Sequence, residues 1–349
     1  CIRDRTREVI ATVMGVELVR DDAVAARIEN MFSTRGRTMP ANNLRQAMVP
    51  VGASTMAQQP GTAPGLVCPV AGPGSGSDRV IYAVPGVPYE MKEMVTGTVV
   101  PDLIARSGER AVIRSRVLRT WGSSESALAE MLADRIDELD GAGNPTLAFL
   151  ASGVEGLKVR VTAKSPTEDE AVAVLDAEEA VIRSIIGDIV FGLDDQNMEA
   201  VVVSLLADQG LTVAVAESLT GGYVAGRLCA VPGASKVFQG GVVAYQPEVK
   251  FDLLGVERGP VITEGAALAM AHGVRRRLDA DIGLATTGVA GPGESEGQPV
   301  GTVCLAVAGA EAERSTTVRL PGDRERIRQF STITLLDLFR RGLLAGEFA

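Results

Sequence analysis

Histidine and cysteine are nearly absent from this chain. Its 349 residues include one His, His272, and four Cys, at positions 1, 68, 229 and 304. The cysteines lie far apart, with no C-x-x-C and no metal-ligand spacing. That argues against a disulfide framework and a thiolate zinc site, and fits reduced thiols in the cytoplasm. A single His leaves one candidate base for a Ser-His-acid triad. It sits in AMAHGVRRR, which reads as an ordinary helix face. Positive charge is in deficit, with 44 acids against 34 bases and a net charge of -10. A broad polyanion-binding surface is therefore not expected. No run approaches about 18 uncharged apolar residues, so no membrane-spanning helix is expected. Lysine is scarce too, at five of the 34 basic residues, namely Lys92, Lys158, Lys164, Lys236 and Lys250. What remains is 46 % apolar and 22 % charged, the profile of a soluble globular protein with two or three domains. The chain opens at Cys1 rather than Met and reads as a fragment, so a preceding signal peptide stays open.

Three units follow one another. In residues 1–108, helical patterns at 6–15 and 21–32 precede a Gly- and Pro-rich stretch over 61–78, which reads as loop. A strand at 80–86 follows, then a helix near Pro88. Residues 109–192 read as a small β-α-β-β-α module. It has a strand over 112–122, a helix over 124–139, a hairpin over 146–152 and 156–164, and a helix over 165–187 with acids in its first turn. Residues 193–349 alternate helices with strands at 211–217, 237–245, 282–287, 300–308 and 315–320. Helices flanking a mixed sheet make an α/β layered domain.

Four segments of the third unit could carry chemistry. LTVAVAESLTGGYVAG (211–226) is a buried-type strand, a polar Gly-rich turn and a helix. Ligands in open α/β sheets sit beyond the carboxyl ends of strands. Amides of Thr220, Gly221 and Gly222 at a helix N-terminus would suit an anion or a developing oxyanion. Ser218 at the bend is either a helix cap or a nucleophile. VFQGGVVAYQPEVK (237–250) is a strand ending at Tyr245, with Lys250 five residues on. With His272 set aside, a Ser–Lys pair is the remaining nucleophile–base arrangement. Lys can lose its proton when desolvated and Arg cannot, though a surface lysine is an equal reading of Lys250. DIGLATTGVAGPG (281–293) offers Thr287 and amides near Gly288 and Gly291 as a polar cradle. In RLPGDRERIRQF (319–330), Arg324 and Arg328 lie four apart. They either clamp a phosphate or form ordinary ion pairs.

Taken together, the segments resemble the CinA family of competence/damage-inducible proteins. The family pattern is A-E-S-C-T-G-G, V-P-G-S-S, F-x-x-G-x-V-x-Y-S-N-x-x-K, T-G-I-A-G-P and P-G-D-R. This chain has AESLTGG (216–222), VPGAS (231–235), FQGGVVAYQPEVK (238–250), TGVAGPG (287–293) and PGDR (321–324). Three departures stand out. Leu219 replaces the family Cys, Gln246-Pro247 replaces Ser-Asn, and Gln298 stands where a Lys usually precedes Pro-Val-Gly.

The resemblance implies a nicotinamide-mononucleotide amidase domain over 193–349. Ser218, Lys250 and Tyr245 would be catalytic. Thr220, Gly221, Gly222, Gly241, Thr287, Gly288, Arg324 and Arg328 would bind the nucleotide, with no metal or cofactor needed. Residues 109–192 resemble a KH-like α+β domain. Gly153-Val-Glu-Gly156 matches the G-x-x-G that clamps nucleic-acid backbone. It carries Glu155, though, in a module with 8 basic and 14 acidic residues over 111–190, and nucleic acid is not the expected partner. Residues 1–108 resemble a molybdopterin-binding-like α/β domain, truncated at its N-terminus, through GTAPG (61–65) and PGVPYEM (85–91). An intact domain of that kind implies a divalent metal and ADP-ribose pyrophosphatase activity, which this truncated form is expected to lack. A non-catalytic role in competence or DNA repair is the third reading. A homodimer is compatible with the pattern.

Overall fold

In a computed structural model, residues 2–34, 36, 38–58, 60–71, 78–108, 111–151 and 153–348 are described. The chain divides into two compact units, Cys1–Arg110 and Ala111–Ala349.

In the first unit, helix Ile2–Met14 lays Ile10 against Val49, Leu66 and Cys68. Strand Leu18–Arg20 pairs antiparallel with Met48–Pro50. Strands Ser54–Thr55, Leu66–Ala71 and Asp78–Ala83 form a second antiparallel sheet. This corrects the expected loop over 61–78. The apolar run LVCPVA is a strand, and residues 72–77 lie outside the described residues. Pro69 is tolerated because the short strand beside it reaches only Val67, so one side of the strand is an edge at that point.

The second unit carries two sheets. The first has the order Thr146–Ala151, Leu157–Ser165, Val112–Thr120, Val190–Leu193, all antiparallel. Its core of Leu118, Val159 and Val161 is closed by Leu128, Leu132, Leu175 and Ile182 from the helices. The last strand, Val190–Leu193, is too short to show in the sequence pattern.

The second sheet is built from β1 (Val213–Glu217), β2 (Phe238–Val243), β3 (Ile282–Gly288), β4 (Thr302–Ala308) and β5 (Glu313–Arg319), in the order β2-β1-β3-β4-β5. β2, β1 and β3 are parallel, and β4 and β5 are antiparallel additions. The helices are α1 (Met198–Gln209), α2 (Tyr223–Cys229), α3 (Pro247–Leu254), α4 (Glu264–Arg277) and α5 (Arg324–Leu344). Alternation along the strands sorts the two faces. Val213, Val215, Ile282, Leu284, Val303, Leu305 and Val307 join residues of α1, α2 and α5 in one core. Ala214, Ala216, Ala285, Cys304, Ala306 and Ala308 face α4 and Leu254 of α3 in the other. The alanine face lets α4 lie close. A side chain on Gly283 would collide with the Ala271 carbonyl, and one on Gly273 with that of Leu254. The result is a three-layer α/β/α domain with a mixed sheet.

Helix α3 has no counterpart in the sequence reading. Its signals are Pro247 in the first turn and Gly255, at φ 73°, just past its end.

Candidate active site

Three strands end together. Glu217 closes β1, the Ser218 amide donates to the Thr286 carbonyl of β3 at 3.0 Å, and the Ala244 amide beyond β2 donates to the Glu217 carbonyl at 2.8 Å. Ser218 thus leaves the sheet between the ends of β2 and β3, at the carboxyl edge where α/β sheets place ligands.

The turn that follows is held from two sides. Gly221 and Gly222 have φ of 59° and 99°, conformations that L side chains rarely adopt. From beneath, the Glu217 carboxylate accepts the amides of Gly222 (2.9 Å), Val224 (3.1 Å) and Ala225 (2.8 Å). From outside, Arg328 donates to the carbonyls of Leu219 and Thr220, each at 3.0 Å, with its guanidinium over the Tyr223 ring. Thr220 Oγ1 lies 2.8 Å from Thr286 Oγ1, fully buried.

This geometry removes one reading of Ser218 and corrects other expectations. Ser218 does not cap α2. The N-cap is Gly222, without a side-chain cap bond, and Glu217 satisfies the orphan amides instead. Gly221 and Gly222 do not aim their amides at a ligand, because these donate to the Ser218 carbonyl and to Glu217. Among the described residues, the amides of Leu219 and Thr220 are the ones in this turn without an acceptor. Arg328 is spent on the turn rather than offered to a phosphate. The Leu219 side chain, at the family's Cys position, is buried in the core under α2.

Lys250 lies one turn into α3 and is 2 % exposed, which excludes the surface reading. Its Nζ donates to the Tyr245 carbonyl at 3.4 Å, and it forms no ion pair among the described residues. Burial pulls its pKa below the ordinary lysine value, opposed by the negative charges of Glu296 and Glu248. A lysine with a depressed folded pKa costs stability while the unfolded chain can hold the proton and the folded one resists it. That cost is absent above the unfolded pKa of about 10.4 and grows as pH falls through the folded pKa. Lys250→Met is therefore expected to raise the melting temperature at pH 7. The advantage should shrink as pH approaches about 10.4, and melting curves across that range check it.

The remaining candidates separate. Tyr245 is 52 % exposed, and its hydroxyl accepts from Arg324 at 2.6 Å, so its contact to Lys250 runs through its carbonyl. Arg324 also donates to the Gly291 carbonyl at 2.7 Å and so spans the ends of β2 and the 289–293 loop. Thr287 is not part of an open cradle. It is 1 % exposed and its hydroxyl donates to the Val261 carbonyl at 2.8 Å. Gly288 is required by close packing, since a side chain there would strike the Thr302 carbonyl. Gly241 sits mid-strand opposite Val215, whose side chain leaves no room for a Cβ. It packs the sheet and is not at the strand end. His272 lies 2.7 Å from Glu313, which opens β5 three strands away from Ser218.

Two acidic residues were missed. Glu217 carries no signal beyond its place before Ser218. Glu296, in a turn closed by the Ser295–Gln298 bridge, accepts the amides of Val261 (2.9 Å) and Ile262 (3.0 Å).

The G-x-x-G turn faces inward. Glu155 pairs with Arg227 of α2 and with Arg119 of its own sheet (3.3 Å). A cavity of about 410 Å³ lies between this turn and α2, lined by Glu155, Glu199, Tyr223, Arg227, Gln329 and Thr332 among others. Its lining includes neither Ser218 nor Lys250. Among the described residues, no group of three or more His, Cys, Asp or Glu could hold a metal ion. No helix among them is long and apolar enough to cross a membrane.

A KH-type module joined to a three-layer α/β/α domain defines the class. Residues 115–192 match the damage-inducible protein CinA KH domain, and residues 195–343 match the CinA C-terminal domain. A CinA-like protein of Frankia casuarinae is 48 % identical over 353 residues, covering 98 % of this chain and 80 % of its own. A CinA-like protein of Gloeobacter violaceus is 42 % identical, covering 99 % and 80 %. The crystal structure of a competence or damage-inducible protein from Enterobacter asburiae is 29 % identical with a TM-score of 0.41, covering 42 % of this chain and 99 % of that one. The chain belongs to the CinA family.

Proposed function

We propose that the 193–349 domain hydrolyses the carboxamide of nicotinamide mononucleotide to nicotinate mononucleotide and ammonia. The observation that carries the reading is Lys250. It is a buried amine without an ion pair among the described residues, held on the Tyr245 carbonyl just past the end of β2, and the Ser218 hydroxyl is not used as a cap. The five family motifs supply the substrate.

Ser218 Oγ attacks the carboxamide carbon while neutral Lys250 Nζ takes the hydroxyl proton. The carbonyl oxygen becomes an oxyanion, served by the unclaimed amides of Leu219 and Thr220. The tetrahedral intermediate collapses, the C–N bond breaks, and Lys250 returns the proton so that ammonia leaves. The acyl ester on Ser218 is then cleaved by water: Lys250 takes a proton from the attacking water and passes it to Ser218 Oγ as the C–O bond breaks, releasing nicotinate mononucleotide. Arg324, exposed beside the end of β2 and the 289–293 loop, would turn its remaining N–H groups to a 5′-phosphate. Burial serves this chemistry, because a lysine with a depressed pKa spends more time as a base near neutral pH.

Product identification tests the reading against its rivals. Nicotinate mononucleotide formed in the presence of a chelator, seen by NMR, is the expected result. AMP from ADP-ribose formed only with added metal, and no amide hydrolysis, would favour a pyrophosphatase. Neither activity, together with salt-sensitive DNA binding, would favour the non-catalytic reading.

A further inference from the structure

Glu217 is 1 % exposed, ends β1 and immediately precedes Ser218. Its carboxylate is the common acceptor for three amides of the turn and first helical residues, with both oxygens engaged. Its backbone is fixed as well, since its carbonyl accepts the Ala244 amide from the β2 side. A serine at a strand-to-helix bend ordinarily turns its hydroxyl back onto the helix amides. Here those amides are already satisfied, so the Ser218 hydroxyl has no helix amide left to accept.

We infer that Glu217 is a positioning residue for the nucleophile: by taking the α2 amides it keeps the Ser218 hydroxyl out of the cap and fixes the turn that presents it. This rests on the amidase reading. Glu217 touches neither substrate nor reacting atoms and acts through the backbone of residues 218–225. Arg328 does the complementary work from outside by holding the Leu219 and Thr220 carbonyls, and Glu217 sets where the turn begins.

The test uses Glu217→Gln and Glu217→Asp in the full chain. The amide of Gln keeps one acceptor oxygen but turns N–H groups toward backbone N–H groups. Asp keeps the charge and is one methylene too short to serve all three amides. Both are expected to lower kcat for nicotinamide mononucleotide by about 10- to 100-fold, the scale of a small misplacement of a reacting group. KM should stay within about threefold, because no substrate contact is removed. A merely structural Glu217 would instead lower the melting temperature and leave kcat of the folded fraction unchanged. Labelling of Ser218 by a fluorophosphonate gives a second readout without the substrate. The Oγ–P bond forms as fluoride leaves, and its rate should fall in parallel with kcat.

If one variant does not fold, the other is read. Wild-type kcat and labelling rate in either folded variant would overturn the inference while leaving the amidase reading intact. If the wild-type chain labels at Ser218 but releases no ammonia, the amidase reading fails, and the labelling rates of the variants still decide the role of Glu217.

Discussion

Lys250→Arg is expected to cut ammonia release from nicotinamide mononucleotide by roughly 100- to 10,000-fold, the usual worth of a positioned general base. The substitution keeps the positive charge and much of the side-chain length. A purely electrostatic lysine would tolerate it. A base cannot, because guanidinium does not give up its proton near neutral pH. Lys250 is buried against the Tyr245 carbonyl, with no acid paired to it among the described residues. Glu296 and Glu248 oppose burial, and burial prevails. Turnover of the wild type should therefore rise with pH as Lys250 deprotonates, and that limb should vanish in the variant. Lys236→Arg is the control. Lys236 ends a short 3-10 turn, is exposed, and matches no position of the Tyr-to-Lys motif, so it should stay near wild type. Near-normal turnover of Lys250→Arg with an unchanged pH profile would mean that another base acts.

Ser218→Ala is expected to abolish measurable ammonia release while leaving the fold intact. The structural argument is specific. A Ser-to-Ala change at a helix cap costs about 1 kcal/mol of stability. Ser218 is not the cap, so thermal stability should move by less than that. Loss of activity with an unmoved melting temperature separates the nucleophile from the cap in one pair of measurements. A variant that loses stability but keeps full specific activity in its folded fraction would return Ser218 to a structural role.

The alternation of Val and Leu with Ala along β1, β3 and β4 made the layered sheet legible, because period-two patterning survives without tertiary information. The strand-to-helix bend at Ser218 was legible too, from the Gly-Gly turn. Which groups are spent internally was not. Backbone amides of Gly221 and Gly222, the Thr287 hydroxyl and the Arg328 guanidinium look equally available in a sequence. Only the fold shows that each already has a partner. Glu217 was hidden for the converse reason. Its partners are backbone amides, which carry no residue signature. Strand Leu66–Ala71 was hidden by Pro69, since the pattern does not reveal which side of a strand is unpaired. Glu155 in the G-x-x-G turn was readable as acidic, but its pairing with Arg227 joins residues 72 positions apart and left no local trace.

The most direct measurement is ammonia released from nicotinamide mononucleotide by the 349-residue chain under a metal chelator, with nicotinate mononucleotide quantified in the same samples. A Ser218–Lys250 amidase requires steady release, one ammonia per nicotinate mononucleotide, lost in Ser218→Ala and in Lys250→Arg. A folded wild-type chain that releases no ammonia, or release at equal rates from wild type and both variants, would contradict it.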